Sequence, residues 1–155
     1  MYVGTFSRKG RLHVGGNERL RYKIELPLID GFEAMNTLYC ELADNCELFC
    51  KERLLGELAE RRGSGRCFYE LTFRVTHNDG KTLSLILRAR LVGGEDGLSE
   101  RVWAMNWSLR DGQIIPPKLL VKHYRKKGQK IRPEKDIFLD DGELATLKNC
   151  ETKIF

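Results

Sequence analysis

The stretch YELTFRVTHNDGKTLSLILRAR, residues 69–90, decides how this chain folds. At its centre His77, Asn78 and Asp79 stand before Gly80, the most chemical-looking cluster in the sequence. Before it, Leu71, Phe73 and Val75 alternate with Glu70, Thr72 and Arg74, the two-residue period of a half-buried strand. Leu83, Leu85 and Leu87 keep that period after the glycine. A two-residue Asp79-Gly80 turn would set Phe73 opposite Ile86 and split the apolar row across two faces. A three-residue loop, Asn78-Asp79-Gly80, instead sets Leu71 opposite Leu87, Phe73 opposite Leu85 and Val75 opposite Leu83. Glu70 then meets Arg88 on the other face, a cross-strand pair of opposite charge. A one-residue slip turns every side chain to the wrong face, so the second register is the one specified. Such a loop needs its glycine in the left-handed region. His77 and Asp79 therefore read as turn residues, because a surface hairpin offers no desolvated pocket to tune an acid–base pair.

The next hairpin repeats the arithmetic. With Gly93–Gly97 as its loop, Leu87 meets Trp103, Leu85 meets Met105, Leu83 meets Trp107, and Arg90 meets Glu100 on the opposite face. A third turn, Asp111-Gly112, sets Leu109 beside Ile114. Three strands thus present one apolar wall. The other face mixes Arg74, Ser84, Ile86, Arg88, Arg90, Val102, Ala104 and Asn106, and is expected to be partly exposed. As a contact surface for a ligand or partner it offers Arg74, Arg88, Arg90 and Asn106, joined by Glu95 and Asp96 of the glycine loop.

Upstream, Leu20, Tyr22, Ile24 and Leu26 point one way and Arg21, Lys23 and Glu25 the other, a further half-buried strand. Gly15-Gly16-Asn17 predicts a turn before it, and Pro27 a limit after it. From Phe32 the period changes: Met35, Leu38, Leu42, Cys46 and Phe49 recur at three- and four-residue steps, with Tyr39 and Ala43 on the same stripe. This is an amphipathic helix over about 32–62, with Asp30 and Glu33 as a capping pair, a weak point at Gly56 and a stop at the 63–65 glycines. A wall of strands and one apolar helix stripe predict an α+β fold, the helix packed on an antiparallel β-meander sheet, as a single domain over 1–155.

With 155 residues, 41% apolar and 32% charged, the composition is that of an ordinary globular protein. No run approaches the ~20 apolar residues that span a bilayer, and the first residues lack the apolar centre of a secretory signal. A cytoplasmic location with no membrane partner is the expectation. Cys40, Cys46, Cys50, Cys67 and Cys150 are odd in number and lack Cys-x-x-Cys spacing, which predicts reduced thiols. Cys46 and Cys50 share a helix face, but nothing nearby completes four metal ligands, so buried packing is their expected role. The net charge of +5 is uneven. Residues 118–135 alone carry +7, leaving −2 for the rest. Within that segment Lys122, Tyr124, Arg125, Lys126, Lys127, Lys130 and Arg132 could hold an anionic partner such as nucleic acid, phosphates on the cations and a base on the ring. A solvated basic loop is the plainer reading of such a run.

The stretch continuing as LVGGEDGLSERVWAMNWSLRDGQIIPPKLL resembles the C-terminal domain of the RsiV-like family. That domain occurs in a lysozyme-sensing anti-sigma factor and beside some polysaccharide deacetylase domains. Gly93, Gly94 and Gly97 match its loop glycines, and Trp107, Leu109, Gly112 and Leu119-Leu120 match its later pattern, with Ser108 where Asp is usual. LPLIDGFEAMN, with Pro27 and Asn36, resembles its strand-to-helix entry, and IFLDDGELATLKN its terminal hairpin. The resemblance implies a curved antiparallel sheet and a binding or sensing module with no chemistry of its own. Glu95-Asp96 replaces the family's Ala-His, so lysozyme binding is not carried over.

Nucleotide-binding glycine signatures and nucleophile elbows are absent from the sequence. The functional expectation is a non-enzymatic module for a protein or small ligand, with no cofactor and no metal. Nothing in the sequence names the ligand.

Overall fold

The structure, a computed structural model, describes residues 2–61, 65–93 and 98–115. The basic segment, the terminal hairpin motif, Leu119-Leu120, Glu95 and Asp96 lie outside the described residues. The elements run β1 (Val3–Val14), β2 (Asn17–Ile29), α1 (Glu33–Leu48), a π-helical segment (Phe49–Leu54), α2 (Leu55–Glu60), β3 (Cys67–Asn78), β4 (Thr82–Val92) and β5 (Leu98–Ser108). The strands form one five-stranded sheet in the order β1-β2-β3-β4-β5. By contact the chain divides into two compact units, one of residues 2–72 and 88–101, the other including 73–87 and 102–115.

The first unit starts from the β1–β2 hairpin. Gly15 (φ +57) and Gly16 (φ +82) both take positive φ, which suits a tight turn between two right-twisted strands. Antiparallel pairing follows from Val3↔Ile29 through Arg11↔Arg21, with a bulge between Leu12 and His13. Leu20, Tyr22, Ile24 and Leu26 are buried as their alternation predicts. Pro27 does not end β2, because β2 pairs with β3 over Leu20–Ile24 and at Pro27 has only β1 beside it, where a missing N–H is tolerated. The pairing of β2 with β3 is parallel, Leu20↔Cys67 to Ile24↔Leu71. The sheet is therefore mixed and not the antiparallel meander expected from the sequence. The cause is the helical crossover between the two strands, which returns the chain to the starting end of β2.

The helix begins at Glu33, and Phe32 holds the cap position without a side-chain hydrogen bond, so Asp30 is not the cap. Asn36 fixes the entry instead. Its Oδ1 accepts the Ile29 N–H (2.7 Å) and its Nδ2 donates to the Ile29 carbonyl (2.8 Å), clipping the first helical turn to the end of β2. Met35, Tyr39, Leu42, Ala43 and Cys46 are buried, followed by Cys50, Leu54 and Leu58. From Cys46 to Leu58 the buried residues recur every four positions. In an α-helix each such step drifts about 40° around the axis, and the wider π turns over Phe49–Leu54 take up that drift. The irregularity thus falls at 49–54, while Gly56 sits in regular α2.

The second unit contains the other ends of β3, β4 and β5. The turn after β3 is Asp79-Gly80-Lys81, one residue later than expected, with Gly80 at φ +79. Asp79 closes it: Oδ1 accepts from the N–H groups of Lys81 (2.9 Å) and Thr82 (2.7 Å), while its own N–H donates to Thr82 O (3.3 Å). The third turn is longer than the two residues expected. Trp107 pairs with Ile114, Ser108 N–H donates to Gln113 O, and Gly112 (φ +69) ends a four-residue loop. The slip is two residues, so the faces are kept. Leu83, Leu85, Leu87, Met105 and Trp107 are buried, and so are Ser84, Ile86, Val102, Ala104 and Asn106. In this unit the mixed face is therefore buried at Ser84, Ile86, Val102, Ala104 and Asn106, while Arg88 and Arg90, further along β4, stay partly exposed. The buried five are small, apolar or uncharged, so burying them buries no charge.

Candidate functional site

Within the first unit, a cleft of about 390 Å³ opens between the middle of the helix and β3, β4 and β5. Cys46, Phe49, Tyr69, Ala89 and Leu91 give it an apolar floor, and Asn45, Arg53, Glu57, Arg90 and Arg101 surround that floor with polar groups. The π-helical segment positions one wall. Phe49 opens that segment, and Arg53 and Glu57 follow at four-residue steps. The other wall is the end of β4, where alternation turns Ala89 and Leu91 to one face with Arg90 between them, together with Arg101 on β5.

The floor is aromatic and soft. The Phe49 and Tyr69 rings lie 6.1 Å apart between centroids at 55°, a tilted arrangement that aromatic pairs favour. Tyr69 is buried, but Phe49 remains 39% exposed. The Tyr69 hydroxyl donates to Cys46 Sγ at 3.6 Å. Burial pushes the Cys46 thiol up against the opposing effect of that hydrogen bond, and it pushes the Tyr69 phenol up as well. Cys50, behind Cys46 on the helix, is pushed up to about 12, chiefly by burial. Thiols held so far from thiolate are poor nucleophiles at neutral pH.

The rim is cationic. Arg53 Nε lies 3.5 Å from Glu57 Oε1. Arg90 Nε and Arg88 Nε share Glu100, at 3.6 and 3.2 Å. The Arg90 pair agrees with the expected placement of Arg90 across from Glu100, whereas Arg88, expected opposite Glu70, also pairs with Glu100. Arg101 is exposed and forms no ion pair among the described residues. Three arginines therefore line the cleft with one carboxylate, Glu57.

Of the residues singled out in the sequence, Arg90 lines this cleft and Arg88 stands beside it on the same carboxylate. Arg74 is exposed and Asn106 is 1% exposed, both in the second unit. The side-chain Oδ1 and Nδ2 of Asn106 and the hydroxyls of Ser84 and Thr76 are buried with no hydrogen-bond partner among the described residues. Asn106 thus offers no surface. His77, at the end of β3, has its Nε2 3.3 Å from Asp79 Oδ2 in the turn. Sequence reasoning missed Asn45, Phe49, Arg53, Tyr69 and Arg101. The available signal was Phe49-x-x-x-Arg53-x-x-x-Glu57 at the edge of the apolar stripe.

A second polar cluster lies where the helix crosses β1 and β2. Arg8 Nη1 binds Asp44 and the Glu47 carboxylate (2.9 Å to the latter), and the Tyr22 hydroxyl donates to Glu47 Oε2 at 2.7 Å. The Tyr22 hydrogen bond, supported by Arg8 and Lys51, holds the Glu47 carboxyl below its ordinary range. This network is an anchor for the helix. Among the described residues no group of three His, Cys, Asp or Glu side chains converges as metal ligands, and no helix is long and apolar enough to cross a membrane.

No family model matches the chain, and no curated protein matches it. Solved structures similar to it include a DUF3298 family protein from Pseudomonas aeruginosa PAO1, at 9% identity and a TM-score of 0.48, covering 76% of this chain and 57% of that one. A DUF3298 family member from Bacteroides fragilis is similar at 10% identity and a TM-score of 0.43, over 84% of this chain and 70% of that one. The chain thus spans little more than half the length of the first. These structural neighbours are DUF3298 proteins, a family of unknown function.

Proposed function

We propose that this chain is a non-enzymatic binding or sensing module of the RsiV-like kind, working in the cytoplasm, with the cleft beside Arg53, Arg90 and Arg101 as its ligand site. One observation carries the reading: a concave site of about 390 Å³ with an apolar floor and a few convergent charged groups, the usual composition of a small-ligand pocket. Its thiols and phenol are shifted away from their reactive forms, which favours holding a ligand over transforming it. Cys40, Cys46, Cys50 and Cys67 are all free, in keeping with a reducing compartment.

A thermal-shift screen of a metabolite library tests this, run in parallel on the native chain and on Leu91→Trp, which fills the cleft. Compounds that stabilise the native chain lose their effect in the variant. Stabilisers unaffected by Leu91→Trp would place the site elsewhere, and turnover of any stabiliser would make the protein an enzyme. The basic segment 118–135, at net +7, favours a second reading as a binder of an anionic partner such as nucleic acid. Retention on a nucleic-acid column that falls with salt and with neutralisation of Lys126 and Lys127 is its expected signature.

A further inference from the structure

We infer that the cleft selects a small amphipathic carboxylate, an aromatic or comparably flat body carrying one anionic head. This rests on the binding reading above and goes further by naming the ligand's chemistry. Charge is the first argument. Arg53 lines the cleft from the helix, Arg90 from β4 and Arg101 from β5, against Glu57 in the lining and Glu100 beside Arg90, which leaves one positive charge over. An anionic head completes that balance, whereas a cationic ligand adds to the excess.

The state of the arginines is the second argument. Charge-assisted hydrogen bonds close to ~2.7–2.9 Å, yet Arg53 and Arg90 stand 3.5 and 3.6 Å from their carboxylates. Glu100 is divided between Arg88 and Arg90. A guanidinium has five donors in a planar fork that fits a carboxylate edge, so these side chains keep donors for a planar oxyanion at little cost to existing contacts. The exposed Arg53–Glu57 pair is of a kind that contributes little to stability and exchanges readily.

The floor sets the rest of the molecule. Phe49 leaves 39% of its surface uncovered while its ring leans on Tyr69. A flat apolar body laid on Phe49 and Leu91 removes that surface from water, and the tilted rings offer it a face. A space of about 390 Å³ is near the lower end of ligand pockets, about 300–1,000 Å³, and favours a small molecule. One ring system with a short acid arm fits that description.

Cinnamate and its neutral isostere cinnamamide test the inference on the full chain, by titration calorimetry and amide NMR. Cinnamate is expected to bind with a Kd at or below ~1 mM, with shifts at Phe49, Tyr69 and Leu91. Cinnamamide is expected to bind at least about tenfold more weakly. Replacing Arg90 and Arg101 together by Gln removes that preference, and Phe49→Ser weakens both compounds alike. A circular-dichroism spectrum matching the native one shows that each variant is folded. Equal affinity for acid and amide, a preference that survives the double Gln variant, or no cinnamate binding overturns the carboxylate inference. The first of these leaves the cleft standing as a binding site. Cinnamate binding untouched by Leu91→Trp removes both readings at once.

Discussion

Tyr22 makes three contacts that no substitute reproduces. Its body is 4% exposed in the core, its hydroxyl donates to Glu47, and its ring lies over Gly10, its Cα partner on β1. A Cβ at Gly10 would sit 2.3 Å from that ring, so the glycine is there to admit the tyrosine. Tyr22→Phe keeps the body and removes the hydroxyl, and is expected to cost about 1 kcal/mol near neutral pH in chemical denaturation. The pH dependence has a definite sign. The folded Glu47 carboxyl is held below its ordinary value of 4.5, so its contribution is present above that value and is lost as pH falls through the lower folded pKa. Native and Tyr22→Phe stabilities should converge in that acid window. A gap that stays constant with pH would detach the hydroxyl from Glu47. Gly93 is a second residue dictated by its neighbours. It takes φ +100, and a Cβ there would lie 2.5 Å from the Arg66 carbonyl oxygen. Gly93→Ala should lose about 2 kcal/mol or more, and a denaturation midpoint unchanged from native would refute that.

At the scale of elements, the Asn36 clip is what joins β2 to the helix. Asn36→Ala removes both of its hydrogen bonds to Ile29, and a loss of about 1–3 kcal/mol is expected. Faster hydrogen exchange confined to the first helical turn and the end of β2 would be the accompanying sign. Local pattern made much of this layer readable. The alternation from Leu20 to Leu26 and the stripe from Met35 to Cys46 depend on periodicity, and burial follows them. Strand direction does not depend on periodicity, because a parallel and an antiparallel neighbour bury the same alternate residues. The parallel β2–β3 pairing was hidden for that reason. β1 was hidden because Gly4, Ser7, Lys9 and Gly10 break any apolar row, and β1 is held by its backbone pairing with β2. The candidate site was legible only in part. Arg90 stood out on a strand, but Phe49, Arg53 and Tyr69 belong to elements whose meeting depends on which strand lies under the helix.

For the molecule as a whole, thiol chemistry reports whether the described core is closed. Cys46, Cys50 and Cys67 are buried and Cys40 is half-buried. Because the Cys46 and Cys50 thiols are also pushed up by burial, alkylation of the native chain mapped by mass spectrometry should label Cys40 well before Cys46 or Cys50. Denaturant should erase that order. Early labelling of Cys50 in the native chain would mean that the helix does not stay seated on its strands. The parallel strand pair has a consequence of another kind, in the order of events as the chain folds. β1 and β2 can zip from the Gly15-Gly16 turn, and the helix can wind, each through contacts close in sequence. Leu20 meets Cys67 only after the whole helical crossover lies between them, and closing so long a loop costs entropy before any contact repays it. The helix shortens the span of chain that must be gathered, so its formation comes before the parallel pairing. Docking of β3 beside β2 is therefore the expected slow step in folding, and substitutions at that pairing should slow refolding more than substitutions in the β1–β2 turn.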